Sequence, residues 1–322
     1  MIMDFQLTED QEALRSGTRE LLAGRFPRER LRAAADGAGP VVDRGLWREL
    51  GAAGFFGLRL PEDEGGVGLG LPEAVLVFED AGRVLLPGPL VATHLAAGLV
   101  EGAASGERIV GMCDAGAKDQ LWEHPADCDE LIFLGDGGPY GVDASSPAVT
   151  TIRSVDPLTP LARVVVPEEG RPLGGDASRL RAEAALLTAA EQLGSAARTV
   201  EMAVSYAKER TQFDRPIGSF QAVKHLCAQM LVRAELARSA VYAAAVTREP
   251  GDVAAAKLLA DEAAVHNARD CLQVHGGMGF TWEADVHLHL KRAWLRERRW
   301  QSTAAGEEAL AEELLSEGNV AL

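Results

Sequence analysis

The chain has 322 residues, enough for about two folding units with a sizeable core, which excludes a small scaffold held by disulfides or a metal. Thirty-two Lys and Arg against 48 Asp and Glu leave a net charge of −16 and a pI near 4.9, so the surface repels polyphosphate and nucleic acid is not an expected partner. No window approaches the ~18 uncharged apolar residues of a membrane span, and Met1-Ile2-Met3-Asp4-Phe5-Gln6 carries no basic stretch followed by an apolar one, so the expectation is a soluble, cytoplasmic protein.

Thr8 followed by Glu9-Asp10-Gln11 is a Thr-x-x-Gln capping box, and Leu14, Leu21 and Leu22 continue at helical spacing until Gly24 and Pro27. Arg44 to Ala53 places Leu46, Trp47 and Leu50 on one helix face before Gly54. The run Glu64-Gly65-Gly66-Val67-Gly68-Leu69-Gly70 invites a phosphate-loop reading. No Lys-Ser/Thr pair follows it and no strong strand precedes it, so a glycine-rich turn between helices accounts for it better. Pro72 to Val84 and Leu90 to Val100 are again helical by spacing, separated by Pro87-Gly88-Pro89.

Between about Glu107 and Gly175 the texture changes to short alternating or β-branched runs, Arg108 to Cys113, Glu130 to Leu134, Ala148 to Arg153 and Arg163 to Val166, which predict a small β domain of about five strands. From Asp176 onward alanine, leucine, glutamate and arginine dominate in four long blocks: Arg181 to Arg210, Ile217 to Thr247 led by Pro216, Asp252 to Val274, and Ala284 to about Trp300. Four such segments with short loops describe a four-helix bundle. The expected domains are therefore residues 1–106 (helical), 107–175 (β) and 176–322 (bundle). Cys113, Cys128, Cys227 and Cys271 lie too far apart for a metal knuckle and are expected to be reduced and structural, and no metal site is expected.

Two bundle loops are richer in special residues than a helix connection needs. In Arg210-Thr211-Gln212-Phe213-Asp214-Arg215-Pro216-Ile217-Gly218-Ser219-Phe220-Gln221 an arginine at a helix end, followed by an aromatic ring, can set a guanidinium beside a pyrophosphate; it can equally meet only the helix dipole. In Gln273-Val274-His275-Gly276-Gly277-Met278-Gly279-Phe280 paired glycines allow a close backbone approach to a ligand. No metal-ligand spacing surrounds His275 or His225.

Together and in this order the two loops resemble the acyl-CoA dehydrogenase family. So do Asp4-Phe5-x-Leu7-Thr8-Glu9-x-Gln11, Leu46-Trp47-Arg48-Glu49-Leu50 and Pro61-Glu62-x-x-Gly65-Gly66, so that the likeness covers nearly the whole chain. The resemblance implies a mainly α fold with a small β domain: an N-terminal helical domain, a shortened middle β domain and a C-terminal four-helix bundle. It also implies an FAD site where two subunits meet. Carried over, Arg210 pairs with the pyrophosphate, Phe213 packs near the adenosine, Gln221 hydrogen-bonds the cofactor, and Gln273 with Gly276 and Gly277 clasps its diphosphate end.

Departures from the family pattern carry as much information. The T-E-P-x-x-G-S-D type cradle for the isoalloxazine is replaced by Gly111-Met112-Cys113-Asp114-Ala115-Gly116-Ala117-Lys118-Asp119-Gln120-Leu121-Trp122. The usual catalytic glutamate followed by Gly-Thr is replaced by Trp300-Gln301-Ser302. The alternative base position before the first bundle helix falls on Ala184, and the family's Arg-Asp-Ala reads Lys291-Arg292-Ala293. Removing the α-proton of an acyl thioester needs a carboxylate, and no residue at either position here accepts a proton. The resemblance thus implies the short member of a heteromeric, α2β2 acyl-CoA dehydrogenase. In such assemblies a full-length partner supplies the base, the substrate is an acyl-CoA such as a bulky steroid side-chain thioester, and an electron-transfer flavoprotein accepts the electrons. Two alternatives stay open: a self-sufficient homomeric flavoenzyme whose base is Glu183, Glu191 or Glu283, and a structural subunit without flavin contact. Glu183 is one residue from Ala184 and so points about 100° away on a helix, Glu191 sits where an ion pair is commoner, and Glu283 favours a helix dipole.

Overall fold

A computed structural model describes residues 6–117 and 120–318. Asp4 and Phe5 of the first motif, and Lys118 and Asp119 of the departing β segment, lie outside the described residues. In chain order the helices and strands are α1 (Glu9–Arg25), α2 (Arg28–Ala35), α3 (Arg44–Ala52), α4 (Leu71–Arg83), α5 (Leu90–Ala96), β1 (Val110–Asp114), β2 (Leu121–Glu123), β3 (Glu130–Gly135), β4 (Gly138–Asp143), β5 (Val149–Ile152), β6 (Leu161–Val164), β7 (Arg171–Pro172), α6 (Ala177–Glu209), β8 (Thr211–Gln212), β9 (Arg215–Pro216), α7 (Gln221–Thr247), α8 (Pro250–His275), α9 (Val286–Arg296) and α10 (Thr303–Gly318). The fold is mainly helical with a small β region, as expected. Backbone contacts divide the chain into two compact units, one from residues 6–20, 75–85 and 185–318, the other from 21–74 and 86–184.

Local chemistry explains most element ends. The capping box at α1 is reciprocal: the Thr8 N–H donates to Gln11 Oε1 (3.1 Å) and the Gln11 N–H donates to Thr8 Oγ1 (3.2 Å). Asp43 caps α3 by accepting from the amides of Gly45 and Leu46. Pro27, read as a stop, instead precedes a further helix: its φ of −68° and ψ of 168° fit the position before α2. The glycine-rich segment after α3 is a turn, with a short 3₁₀ segment over Glu62–Glu64 and Gly65 at φ 80°.

In the unit of residues 21–74 and 86–184, Trp47 is buried and lies 4.7 Å from Phe56, ring to ring. Gly88, at φ 116°, lets the backbone pass this ring, since a Cβ there would meet Trp47 at 2.4 Å. The β region holds seven strands, in two sheets, against the about five expected. A four-stranded sheet runs β1-β3-β4-β7, parallel between β1 and β3 and otherwise antiparallel. An antiparallel sheet runs β2-β6-β5. The two- and three-residue strands β7 and β2 are too short for alternation to reveal them.

In the other unit two helices meet through glycine. A Cβ on Gly194 of α6 would lie 1.9 Å from the Glu79 carbonyl oxygen, and one on Gly82 of α4 would lie 2.1 Å from that of Glu191. Buried amides bridge the helices: the Gln192 Nε2 donates to Asp261 (3.0 Å) and to the Ala293 carbonyl (3.1 Å), and Asn267 donates to the Met230 carbonyl (2.9 Å). Three boundaries differ from expectation. Pro216 does not lead α7: it belongs to β9 with a ψ of 136°, and the helix begins at Gln221 after a 3₁₀ turn. The fourth block is helical only over α9. A fifth helix, α10, packs against α8. Trp300 lies in the segment that joins α9 to α10, at a left-handed φ of 66°.

Candidate functional site

The two special loops lie in the same unit and are tied together by side chains. His275, the last residue of α8, stacks on Tyr206 near the end of α6 with centroids 4.1 Å apart and planes at 19°. His275 Nδ1 donates to the Cys271 carbonyl (2.8 Å), since a carbonyl only accepts. Cys271 itself is buried, and burial pushes its thiol up to about 12, so it is a packing residue rather than a nucleophile.

The loop after α6 closes as a hairpin in which Gln212 pairs with Arg215 and Thr211 with Pro216. The two residues at its tip, Phe213 and Asp214, have φ of 54° and 61°, the backbone of a type I′ turn. Such turns ordinarily take Asn-Gly, because a bulky side chain in the left-handed region costs roughly 1 to 3 kcal/mol. The strained residue carries a ring that is 86% exposed, touching only the edge of Phe220 at 6.0 Å among the rings described. Arg215 covers the face of that same Phe220 at 4.2 Å.

All six residues expected to face the flavin are in this unit. Arg210, Phe213, Gln221, Gln273 and Gly277 are exposed and Gly276 is half-exposed. No hydrogen bond or ion pair engages the guanidinium of Arg210 among the described residues, and Phe280 beside the glycine loop is 80% exposed. A Cβ on Gly276 or Gly277 would meet nothing within 4 Å. An unpaired cationic fork, a bare ring and open backbone suit an elongated anionic, partly aromatic molecule lying on this face, which is how FAD would fit.

The three carboxylates weighed as bases are separated by their environments. Glu183 is buried and bridged: Arg59 donates both terminal nitrogens to it (2.8 and 2.9 Å) and Arg179 donates Nε (2.9 Å). Burial alone would raise its carboxyl, but the hydrogen bonds and charges of Arg59 and Arg179 outweigh that and hold it below the ordinary value. Glu191 is buried against Arg296 at 2.7 Å, both side chains under a tenth exposed. Glu283 is exposed in the turn ahead of α9, which begins at Val286 rather than Ala284. Ala184 is fully buried, and Trp300 is half-buried with Arg299 5.1 Å over its ring.

Sequence reading missed the Arg59–Glu183–Arg179 bridge, since Arg59 is 124 residues from its partner; the Arg179–Glu183 half was legible as an i, i+4 pair. His94 was also missed. It lies fully buried beside the same arginine, and burial, aided by the Arg59 charge, pushes it down to about 4. Among the described residues no group of three or more His, Cys, Asp or Glu could hold a metal, and no helix is long and apolar enough to cross a membrane.

Residues 8–107 match the family model described as the acyl-CoA dehydrogenase N-terminal domain, and residues 178–317 the one described as the C-terminal domain. The acyl-CoA dehydrogenase IpdE2 of Mycobacterium tuberculosis is 37% identical over 297 residues, spanning 88% of this chain and 91% of its own length. The acyl-CoA dehydrogenase FadE34 of the same organism is 38% identical over 78% of this chain, which spans only 39% of FadE34. Among solved structures, a steroid ACAD, Tcur3481-Tcur3483, superposes with a TM-score of 0.83 at 25% identity over 97% of this chain and 99% of that one. The ChsE4-ChsE5 complex of M. tuberculosis superposes at 0.81 with 27% identity over 97% of this chain and 99% of that one.

Proposed function

This chain belongs to the acyl-CoA dehydrogenase family, FAD-dependent oxidoreductases acting on the CH–CH bond beside a thioester, and from that premise we propose that it is the non-basic half of a two-polypeptide enzyme. A full-length partner provides the catalytic carboxylate and most of the flavin seat, and this chain provides one wall. The observation that carries the reading is that all six flavin-motif residues are exposed or half-exposed, together with an Arg210 guanidinium that has no hydrogen-bond or ion-pair partner among the described residues. A cationic group kept bare on a surface is poorly used by a monomer, and it becomes useful once a second surface encloses an anion against it.

Within that assembly each residue has a chemical task. Arg210 pairs its fork with the diphosphate, and Phe213 offers its ring to the adenosine. Gln221 and Gln273 donate amide hydrogens, and the Gly276-Gly277 backbone lets the diphosphate approach without a Cβ in the way. The bound flavin supplies hydride acceptance from the β-carbon. The α-proton is taken by the partner, because in this chain Trp300 and Ala184 occupy the two family positions for a base, and both Glu183 and Glu191 are engaged by arginines, those on Glu183 making it a weaker proton acceptor than a free carboxylate. The likeness to Tcur3481-Tcur3483, a steroid ACAD, and to the ChsE4-ChsE5 complex supports a heteromer acting on a bulky, steroid-derived acyl-CoA. The electron acceptor in this proposal is an electron-transfer flavoprotein.

The test is the visible spectrum of the protein purified alone and after co-expression with the full-length chain. The isolated chain should be colourless and the pair yellow, with about one flavin per two unlike chains. In the pair, Arg210→Ala should weaken flavin binding roughly tenfold or more, the range of a charge-assisted hydrogen bond, with Arg210→Lys recovering only part. A yellow, active preparation of this chain alone would overturn the proposal.

A further inference from the structure

The unit formed by residues 21–74 and 86–184 holds a cavity that the proposed function leaves without a role. It encloses about 280 Å³, the liquid volume of about nine water molecules, at the start of α6. Its apolar walls include Phe56, Leu95 and Leu180, all buried. Its polar side is Arg59, Arg179 and Glu183.

The hydrogen-bond inventory of that polar side is unbalanced in one direction. Glu183 accepts three hydrogen bonds, and Arg59 spends both terminal nitrogens on it. Arg179 contributes only Nε, so its terminal nitrogens, Nη1 and Nη2, have no hydrogen-bond partner among the described residues. Its side chain is 63% exposed, at the mouth of the cavity. The Nε–Glu183 bond fixes the plane of the guanidinium, and with it the direction of the unused fork. The remaining charged group at the rim, Asp176, accepts the Ser178 N–H at the start of α6 (2.8 Å). His94 directs its Nδ1–H to the Phe55 carbonyl (3.1 Å). The charges of Arg59, Arg179, Glu183 and Asp176 cancel, so what the cavity offers is a placed pair of donors above an apolar hollow rather than a general cationic field.

We propose that this cavity is a second ligand site, built from none of the flavin-motif residues, for a compact apolar carboxylic acid. Its carboxylate would sit on the two terminal nitrogens of Arg179 and its hydrocarbon body against Phe56, Leu95 and Leu180. Fork-to-carboxylate pairing selects an acid over an alcohol of the same shape, and the apolar walls select it over acetate.

Calorimetric titration of the purified full chain with cyclohexanepropanoate, with 3-cyclohexylpropan-1-ol and with acetate tests this without reference to flavin. The acid should bind saturably at one site, with the alcohol and acetate each at least tenfold weaker. Arg179→Gln should weaken the acid by roughly tenfold while leaving the alcohol unchanged, because only the fork is lost. Ala97→Phe, which fills the cavity from its lining, should remove both. Circular dichroism and a thermal midpoint confirm folding of each variant. Equal affinity for acid and alcohol, binding of the acid unaltered by Arg179→Gln, or no saturable binding of the acid would each overturn the site. None of these outcomes bears on whether the chain pairs with a partner to hold flavin.

Discussion

The imidazole of His275 lies flat against the phenol of Tyr206, 4.1 Å between centroids, so the glycine loop after α8 is held to the end of α6 just ahead of Arg210. An aromatic pair of this kind is worth about 0.5 to 1.5 kcal/mol beyond its buried area. Tyr206→Ala should therefore weaken flavin binding in the assembled pair by about two- to tenfold. It should also speed hydrogen exchange of the 276–280 amides in the isolated chain. Unchanged exchange would show that the loop is fixed by its own backbone.

Phe213 separates stability from binding. Its left-handed φ of 54° disfavours a bulky side chain, whereas asparagine tolerates that region well. Phe213→Asn should raise the unfolding free energy of the isolated chain by up to about 1 kcal/mol in urea, while lowering flavin affinity in the pair. A loss of stability would mean that the exposed ring contributes packing that outweighs the strain.

Glu183, Glu191 and Glu283 should each tolerate glutamine with flavin reduction by acyl-CoA kept within roughly tenfold, since loss of a true base usually costs 10² to 10⁴. Stability should respond differently. Glu191→Gln takes the buried carboxylate charge away from buried Arg296 and should cost about 3 to 5 kcal/mol, whereas exposed Glu283→Gln should fall within about 0.5 kcal/mol. Single-turnover bleaching of the flavin checks the first part and urea unfolding the second. Bleaching that stops in one variant with flavin retained would put the base in this chain.

Two buried histidines set the acid limit. Burial, aided by the Arg59 charge, pushes His94 down to about 4, and burial with the charges of Arg198, Arg292, Arg296 and Arg83 pushes His289 down to about 3. Both bind a proton more weakly folded than unfolded. Their contribution is thus fully present above pH 6.5 and is lost as pH falls through the folded values, at up to roughly 1.4 kcal/mol per pH unit for each. Buried Glu79 adds to the loss only below about 4.5, because Arg238 and Arg15 outweigh its burial and hold its carboxyl low. Urea midpoints should fall steadily between pH 6.5 and 4.5, and His289→Gln should flatten that slope. A profile flat down to pH 4.5 would contradict the assignment.

Much of this protein is written in local chemistry. Thr8 and Gln11 sit three residues apart and cap each other, the long alanine- and leucine-rich blocks form helices close to their predicted spans, and the two bundle loops identify the family by residue order alone. These features depend on neighbours within a few residues, which a one-dimensional reading sees in full. The tertiary structure decided the rest, because it depends on partners far along the chain. Pro216 left the helix it was expected to lead because its strand pairs with Thr211. Strands β2 and β7 exist through the strands beside them, being too short to show a period. At Gly82 and Gly194 two helix backbones more than a hundred residues apart in the chain come too close for any side chain. Glu183 is the sharpest case: in the sequence it is a carboxylate one position from where a base belongs, and an arginine 124 residues away pairs with it and makes it a weaker proton acceptor. Charge and burial act through space, so whether a carboxylate can take a proton is fixed by what folding brings against it.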